Sequence, residues 1–286
     1  MVSSSDPRPR RSLLFVPGLQ PDLYTKALGA GADIVCVDLE DAVALPRKAE
    51  ARAATLPLFA DDTTHPEVER MLRINPISTL DGLTDLLALN ACAAPPPSIM
   101  IPKPSSAHEI RLYDELLGGT CADIQFHVII ESSEGLENVH EIAQASSRIR
   151  SLLFGAVDLS ASLRAQKTWE TMLYARSRVV HAAARFDLDL IDVPYLNLDD
   201  AEGHAAEARA SRDLGFTGKA AIHPNQIPVL NEIYTPSPEL VARAQRIIAE
   251  FATNTTGLLV VDGELIERPV LRSMQRVVAI ADRLAE

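Results

Sequence analysis

The chain has 286 residues, 47% hydrophobic and 23% charged, the balance of an ordinary globular protein with one large domain or two small ones. Its net charge of −12 argues against a general nucleic-acid or anionic-membrane partner, and no apolar run approaches the ~20 residues of a membrane span. The three cysteines, Cys36, Cys92 and Cys121, form no CxxC pair and fit a reducing, cytoplasmic setting, with Cys36 read as a small buried hydrophobe inside a strand.

Residues 1–9 are polar and lack the apolar stretch of a secretory signal, so they are expected to form a disordered tail. Short apolar runs then alternate with helical patterns. Strands are expected at 13–17, 33–39, 69–75, 98–103, 126–131, 150–158, 188–193 and 218–224. Between them, apolar residues recur at three- and four-residue spacing, as one buried helix face requires. Runs apolar on both faces of a strand imply a parallel sheet covered by helices. Eight strand–helix units over residues 10–235 suit an α/β fold of the (β/α)8 TIM barrel type, with a doubly wound open sheet as the alternative. The first strand–turn–helix holds only Gly18 and no G-x-G-x-x-G, and "GFTGKAA" lacks the spacing of a P-loop. Residues 236–286 are surplus to a barrel. They read as a helix, a hairpin turning at Asp262-Gly263 and a last helix, an appendage acting as a lid or reaching a neighbouring subunit.

A barrel of this kind carries its site at the C-terminal ends of its strands. Those ends read Pro17-Gly18; Asp38, Glu40 and Asp41; Arg73 and Asn75; Lys103; Glu131; Asp158; Asp192; and His223 with Asn225. So many converging carboxylates repel one another unless a cation or protons intervene. Hard oxygen donors without Cys or paired His suggest Mg²⁺, or Mn²⁺. Glu131 and Asp158, read as successive strand ends, face either such a cation or, in the case of Glu131, a salt bridge to Arg73 or Lys103. Arg73 either forks onto a substrate carboxylate or pairs with the "DLED" acids. His223 is either a general base or an imidazole bonded to nearby backbone.

The stretches "RRSLLFVPG", "GADIVCVDLEDAV", "RINP", "IPKP", "IIESSEGLENVHEIA", "FGAVDLSASL", "IDVPYLNLDD", "LGFTGKAAIHPNQI" and "VDGELIERPV" run in order from residue 10 to the C-terminal segment. Together they resemble the citrate lyase beta subunit and its stand-alone citramalyl-CoA and malyl-CoA lyase relatives, a family of Mg²⁺-dependent barrel aldolases. The resemblance implies a homo-oligomer, trimer or hexamer, whose appendage closes a neighbour's site. It implies metal ligands at Glu131 and Asp158, a substrate-binding arginine at Arg73, and positions near the substrate at Arg11 and Lys103. Lys48 and Arg52 would meet the phosphates of the CoA thioester. Relatives carry an Asp in the lid as acid/base. Here "LIERP" places Glu267 there, one methylene longer. The short segment after Asp158 favours the stand-alone relatives, and so cleavage of citramalyl-CoA to a 2-oxo acid and acetyl-CoA. A malyl-CoA-type thioesterase and a carrier-dependent citrate lyase subunit are the alternatives.

Overall fold

A computed structural model describes residues 8–60, 63–254 and 258–285. The tail expected over 1–9 lies outside the described residues as far as residue 7. All eight expected strands form. They are β1 (Ser12–Pro17), β2 (Ile34–Asp38), β3 (Glu69–Arg73), β4 (Ser98–Ile101), β5 (Gln125–Ile130), β6 (Ile149–Phe154), β7 (Asp189–Asp192) and β8 (Gly218–Ala221). Each pairs in parallel with the next, and β1 closes on β8 with Leu13 opposite Ala220, so the sheet is a closed barrel. The helices between strands run in order α1 (Asp22–Leu28), α2 (Lys48–Thr55), α3 (Leu80–Asn90), α4 (Ala107–Leu116), α5 (Ser133–Glu137), α6 (Val139–Ala143), α7 (Ala156–Ser162), α8 (Trp169–Arg185), α9 (Ala201–Leu214) and α10 (Ile227–Tyr234).

Strand alternation sorts the side chains. Outward residues such as Val35, Val37, Leu72, Ile99, Val128 and Leu152 join the helices in the main apolar cluster. Inward residues form a second cluster that fills the barrel: Leu13, Ile34, Cys36, Met71, Met100, Ile129, Leu153, Ile191 and Ala220. The barrel is thus a packed core with a mouth at one end, not a pore. Cys36 is fully buried there and its thiol is pushed up by burial, which bears out its reading as a small hydrophobe.

Below that layer the interior turns polar. Glu69 Oε2 accepts from Arg10 Nε at 2.6 Å, and its Oε1 lies 2.7 Å from both Ser98 Oγ and His127 Nε2. His127 Nδ1 sits 2.7 Å from Ser151 Oγ, and Arg10 Nη1 reaches Asp189 at 3.1 Å. Burial alone would raise the Glu69 carboxyl. The charges of His127 and Arg10, with their hydrogen bonds, outweigh it and hold the group well below the usual carboxylate range.

After α10 come α11 (Pro238–Thr253), β9 (Leu259–Val261), β10 (Glu264–Ile266) and α12 (Arg268–Ala285). The hairpin expected at Asp262-Gly263 forms. Both residues take positive φ, +52° and +81°, as the two central positions of a tight two-residue turn of this hand require. The appendage has its own small core of Ile247, Val261 and Ile266, with Phe251, Leu259, Val270 and Met274 packed on it. Among the described residues no helix is long and apolar enough to cross a membrane.

Candidate active site at the barrel mouth

The inward positions one step above the apolar layer are Asp38 on β2, Arg73 on β3 and Glu131 just past β5. They open onto a cavity of about 480 Å³ whose other walls include Phe15, Ile129, Leu153, Phe154, Val193 and Ile222. Arg73 lies between charges and a ring. Its Nε and Nη2 donate to Asp38 Oδ1 and Oδ2 at 2.7 and 2.5 Å. Its Nη1 lies 3.0 Å from Glu40 and 3.4 Å from Asp41. The guanidinium stands 5.2 Å from the centre of the Phe15 ring. Burial works against its charge, but these carboxylates more than offset it and raise Arg73 further above its ordinary value. The ion pair to the "DLED" acids therefore forms. It also fixes the fork at the cavity wall.

Lys103 follows β4 with φ +52°, in the left-handed region that few non-glycine residues enter. That backbone turn directs its N–H to Glu131 Oε1 at 3.1 Å. Its Nζ lies 2.5 Å from Glu40, 3.3 Å from Asp41 and 3.1 Å from Asp158. Glu131 is only 5% exposed, and among the described residues no side-chain cation pairs with it. Burial, reinforced by the charges of Glu40 and Asp158 and opposed by Lys103 and Arg73, pushes its carboxyl up to about 8. Burial likewise raises Glu40. Asp41, though burial opposes it, is held down by its bond with Glu40 and by Arg73 and Lys103.

Asp158 enters the site differently from its expected place. β6 ends at Phe154, not at 158, because Gly155 opens the turn into α7, and Asp158 stands in that helix's first turn. Its carboxylate still lines the cavity with Glu131. Two carboxylates on one wall, oxygen donors only, and one of them buried without a cation, form a donor set that fits Mg²⁺ with water and substrate oxygens completing its shell. Among the described residues no group of three His, Cys, Asp or Glu converges into a closed metal cage.

Other expectations are corrected. Arg11 lies before β1, at the barrel end opposite the mouth. There its Nη2 and Nε pair with Asp33 at 2.7 and 2.9 Å and its Nη1 donates to Thr235. A residue preceding a strand in a parallel barrel cannot reach the C-terminal rim, so Arg11 does not line the site. Lys48 is buried and its Nζ donates to the carbonyls of Leu39 and Glu40, both at 2.7 Å, so it holds the acidic loop from below. Arg52, also buried, pairs with Asp85 at 2.5 Å and Asp81 at 3.5 Å. Neither is an exposed cation offered to CoA phosphates. Asn75 is buried and bonded to Asp85, and Asp192 is clamped by Lys219 at 2.8 Å and Arg176 at 3.4 Å. His223 is exposed and its Nδ1 accepts from the Asn225 N–H at 3.2 Å, which favours the backbone-bonded reading. Glu267 is exposed between β10 and α12, and no described residue lining the cavity comes from beyond Ile222, so the appendage does not close its own chain's mouth.

Among the residues of the site that escaped sequence reasoning are Phe15 and Gly155. Phe15 shares its inward parity with Leu13, a period-two signal that was available. Gly155 was absorbed into an overlong strand. A Cβ there would lie 2.5 Å from Glu131 Cβ and 2.7 Å from its Oε2.

The family model described as HpcH/HpaI aldolase/citrate lyase matches residues 11–224. Human mitochondrial citramalyl-CoA lyase is 32% identical, over 97% of this chain and 87% of its own length. An L-malyl-CoA/beta-methylmalyl-CoA lyase of Cereibacter sphaeroides is also 32% identical, over 97% and 96%. Among solved structures, Mycobacterium tuberculosis protein CitE in complex with magnesium, acetoacetate and coenzyme A superposes with a TM-score of 0.79, at 30% identity and full coverage of both chains. A match of this extent over the barrel and its mouth makes the chain a member of the HpcH/HpaI aldolase/citrate lyase family.

Proposed function

We propose that the protein is a Mg²⁺-dependent carbon–carbon lyase that cleaves a 3-hydroxy-3-carboxyacyl-CoA thioester, citramalyl-CoA foremost, to a 2-oxo acid and acetyl-CoA. The observation that carries this reading is Glu131. It is a buried carboxylate with no cation of its own, set beside Asp158 and facing the Arg73 fork across one cavity. Relatives named for citramalyl-CoA and malyl-CoA cleavage, and a related structure holding magnesium and coenzyme A, support the chemistry.

Glu131 and Asp158 would hold the cation. When bound, it supplies a Lewis-acid centre for the substrate's hydroxyl and carboxylate oxygens. Arg73, fixed by Asp38 and Phe15, would bind the substrate carboxylate in a bidentate way and keep the 2-oxo acid oriented as the bond breaks. Losing a preorganised donor of that kind typically costs about 3–4 kcal/mol in the transition state. The apolar walls Phe15, Ile129 and Leu153 provide a dry side for the substrate's methyl group and keep water from the carbanionic carbon. As the carbon–carbon bond breaks, a base takes the hydroxyl proton and the 2-oxo group forms, and a proton is returned to the enolate carbon of acetyl-CoA, a role assigned to Glu267 as acid/base. Because Glu267 does not line its own chain's cavity, it would act on a neighbouring subunit's site, in a homo-oligomer.

The test is direct. The purified protein with citramalyl-CoA and Mg²⁺ is expected to release acetyl-CoA and a 2-oxo acid, and to stop when the metal is chelated. Release of free thiol with an intact hydroxy acid would identify a thioesterase instead. Absence of both products would point to a carrier-dependent subunit.

A further inference from the structure

We propose that Lys103 is a tethered counter-cation of the mouth. Its ammonium lies among Glu40, Asp41 and Asp158, and it sets the site's affinity for a divalent cation by competing for Asp158. This rests on the reading of Glu131 and Asp158 as metal ligands.

Five carboxylates crowd the rim, namely Asp38, Glu40, Asp41, Glu131 and Asp158, against the two cations Arg73 and Lys103. Arg73 is largely buried and spends its fork on Asp38, so it cannot move to meet Asp158. Lys103 is the more exposed of the two. Its side chain is about one-third exposed, and its Nζ bridges the acidic loop after β2 to α7, 3.1 Å from Asp158 Oδ2. An ammonium on a four-carbon stem can swing out to water at little cost, unlike a planar fork.

The backbone beneath it is built for this placement. Lys103 adopts positive φ between Pro102 and Pro104, whose rings fix their own φ, and its N–H holds Glu131 Oε1 at 3.1 Å. Such strain at a polar rim persists when the surroundings over-determine it. One residue thus touches both ligand carboxylates, one through the main chain and one through the side chain. The main-chain bond to Glu131 is compatible with a cation on the other carboxylate oxygen. The side-chain contact to Asp158 is not neutral toward it, because a positive charge beside a ligand oxygen opposes a second one. The ammonium offsets the repulsion among these carboxylates, and a cation held by Asp158 would have to share that carboxylate with it.

The experiment compares parent, Lys103→Met and Lys103→Arg by calorimetric titration with MgCl₂ alone, without substrate, and by thermal unfolding after chelation. Lys103→Met is expected to bind Mg²⁺ at least ~10-fold more tightly, through loss of the neighbouring charge, and to melt several degrees lower when chelated. Lys103→Arg is expected to stay near the parent in both. Equal Mg²⁺ affinity in parent and Lys103→Met overturns the inference alone. An Arg variant as tight as the Met variant also overturns it, because the effect would then come from the backbone and not the charge. A parent that takes up no Mg²⁺ overturns the metal reading itself and this inference with it. If Lys103→Met does not purify, Lys103→Gln removes the same charge and is held to the same outcomes.

Discussion

Gly155 makes the room that Glu131 occupies: a methyl group on Gly155 would overlap Glu131 Cβ at 2.5 Å and Oε2 at 2.7 Å. The backbone of Gly155, φ −94° and ψ 73°, does not need a glycine for conformational reasons. The constraint is the close approach of β6 to the carboxylate at the end of β5. Gly155→Ala is therefore expected to displace Glu131, weaken Mg²⁺ binding by at least ~10-fold and reduce turnover in step. Its stability cost should stay within the ~1–3 kcal/mol typical of overpacking. Titration with Mg²⁺ and urea unfolding check the two halves separately. Parent-like metal affinity would show that Glu131 is not held by this contact.

Arg73→Lys keeps the charge but loses the planar fork on Asp38. If Arg73 binds the substrate anion, kcat/KM should fall by ~100-fold or more, which is about 2.7 kcal/mol of transition-state stabilisation. The metal titration should stay near that of the parent. Kinetics nearly intact alongside a large drop in Tm would mean that the Asp38–Arg73 pair is architecture alone.

The barrel was legible because its strands are apolar on both faces and its helices keep a clear period. The charges were not, because a side chain's partner is set by tertiary contacts far apart in sequence. The resemblance assigned Lys48 and Arg52 to CoA phosphates, yet Lys48 turns under the loop of Glu40 and Arg52 meets Asp85, 33 residues on. Asp158 was placed on the wrong element, since Ala156 and Val157 extend the apolar run of β6 past the break at Gly155. The polar layer beneath the core went unread. Period two turns Glu69 and His127 inward, but their meeting across 58 residues depends on barrel closure.

That lower layer carries a pH prediction. Glu69 titrates in the folded protein well below its ordinary value of 4.5, held down against burial by His127 and Arg10. A carboxyl group lowered on folding stabilises the protein fully above its unfolded pKa, and the contribution is lost as pH falls through the folded value. Stability should thus be level in this term from neutral pH down to about 4.5 and decline below it. Glu69→Gln should remove part of that acid decline and cost about 3–5 kcal/mol at pH 7, because the buried Arg10 loses its 2.6 Å carboxylate partner. Urea unfolding of both proteins between neutral and acid pH measures it. A variant as stable as the parent at pH 7 would show that the network contributes nothing net.

Glu267 poses the last question, because its own chain gives it no site to serve. It is exposed at the start of α12, beyond a hairpin that leaves Leu258, Val260 and Leu265 open to solvent, and the mouth cavity is lined only as far along the chain as Ile222 among the described residues. If the appendage covers a neighbour's mouth, those apolar residues gain a surface to pack on and Glu267 reaches the enolate of another subunit. Glu267→Gln should then leave Mg²⁺ affinity unchanged and lower kcat by ~100-fold or more, within the range general acid catalysis supplies. The decisive measurement mixes inactive Glu267→Gln with inactive Asp158→Asn under conditions that exchange subunits. A mixed oligomer contains some sites with an intact Asp158 from one chain and an intact Glu267 from the next, so part of the parent activity should return. Confirmed exchange with no recovery would rule out action in trans. An Asp158→Asn protein that is active by itself would instead remove Asp158 from the metal site.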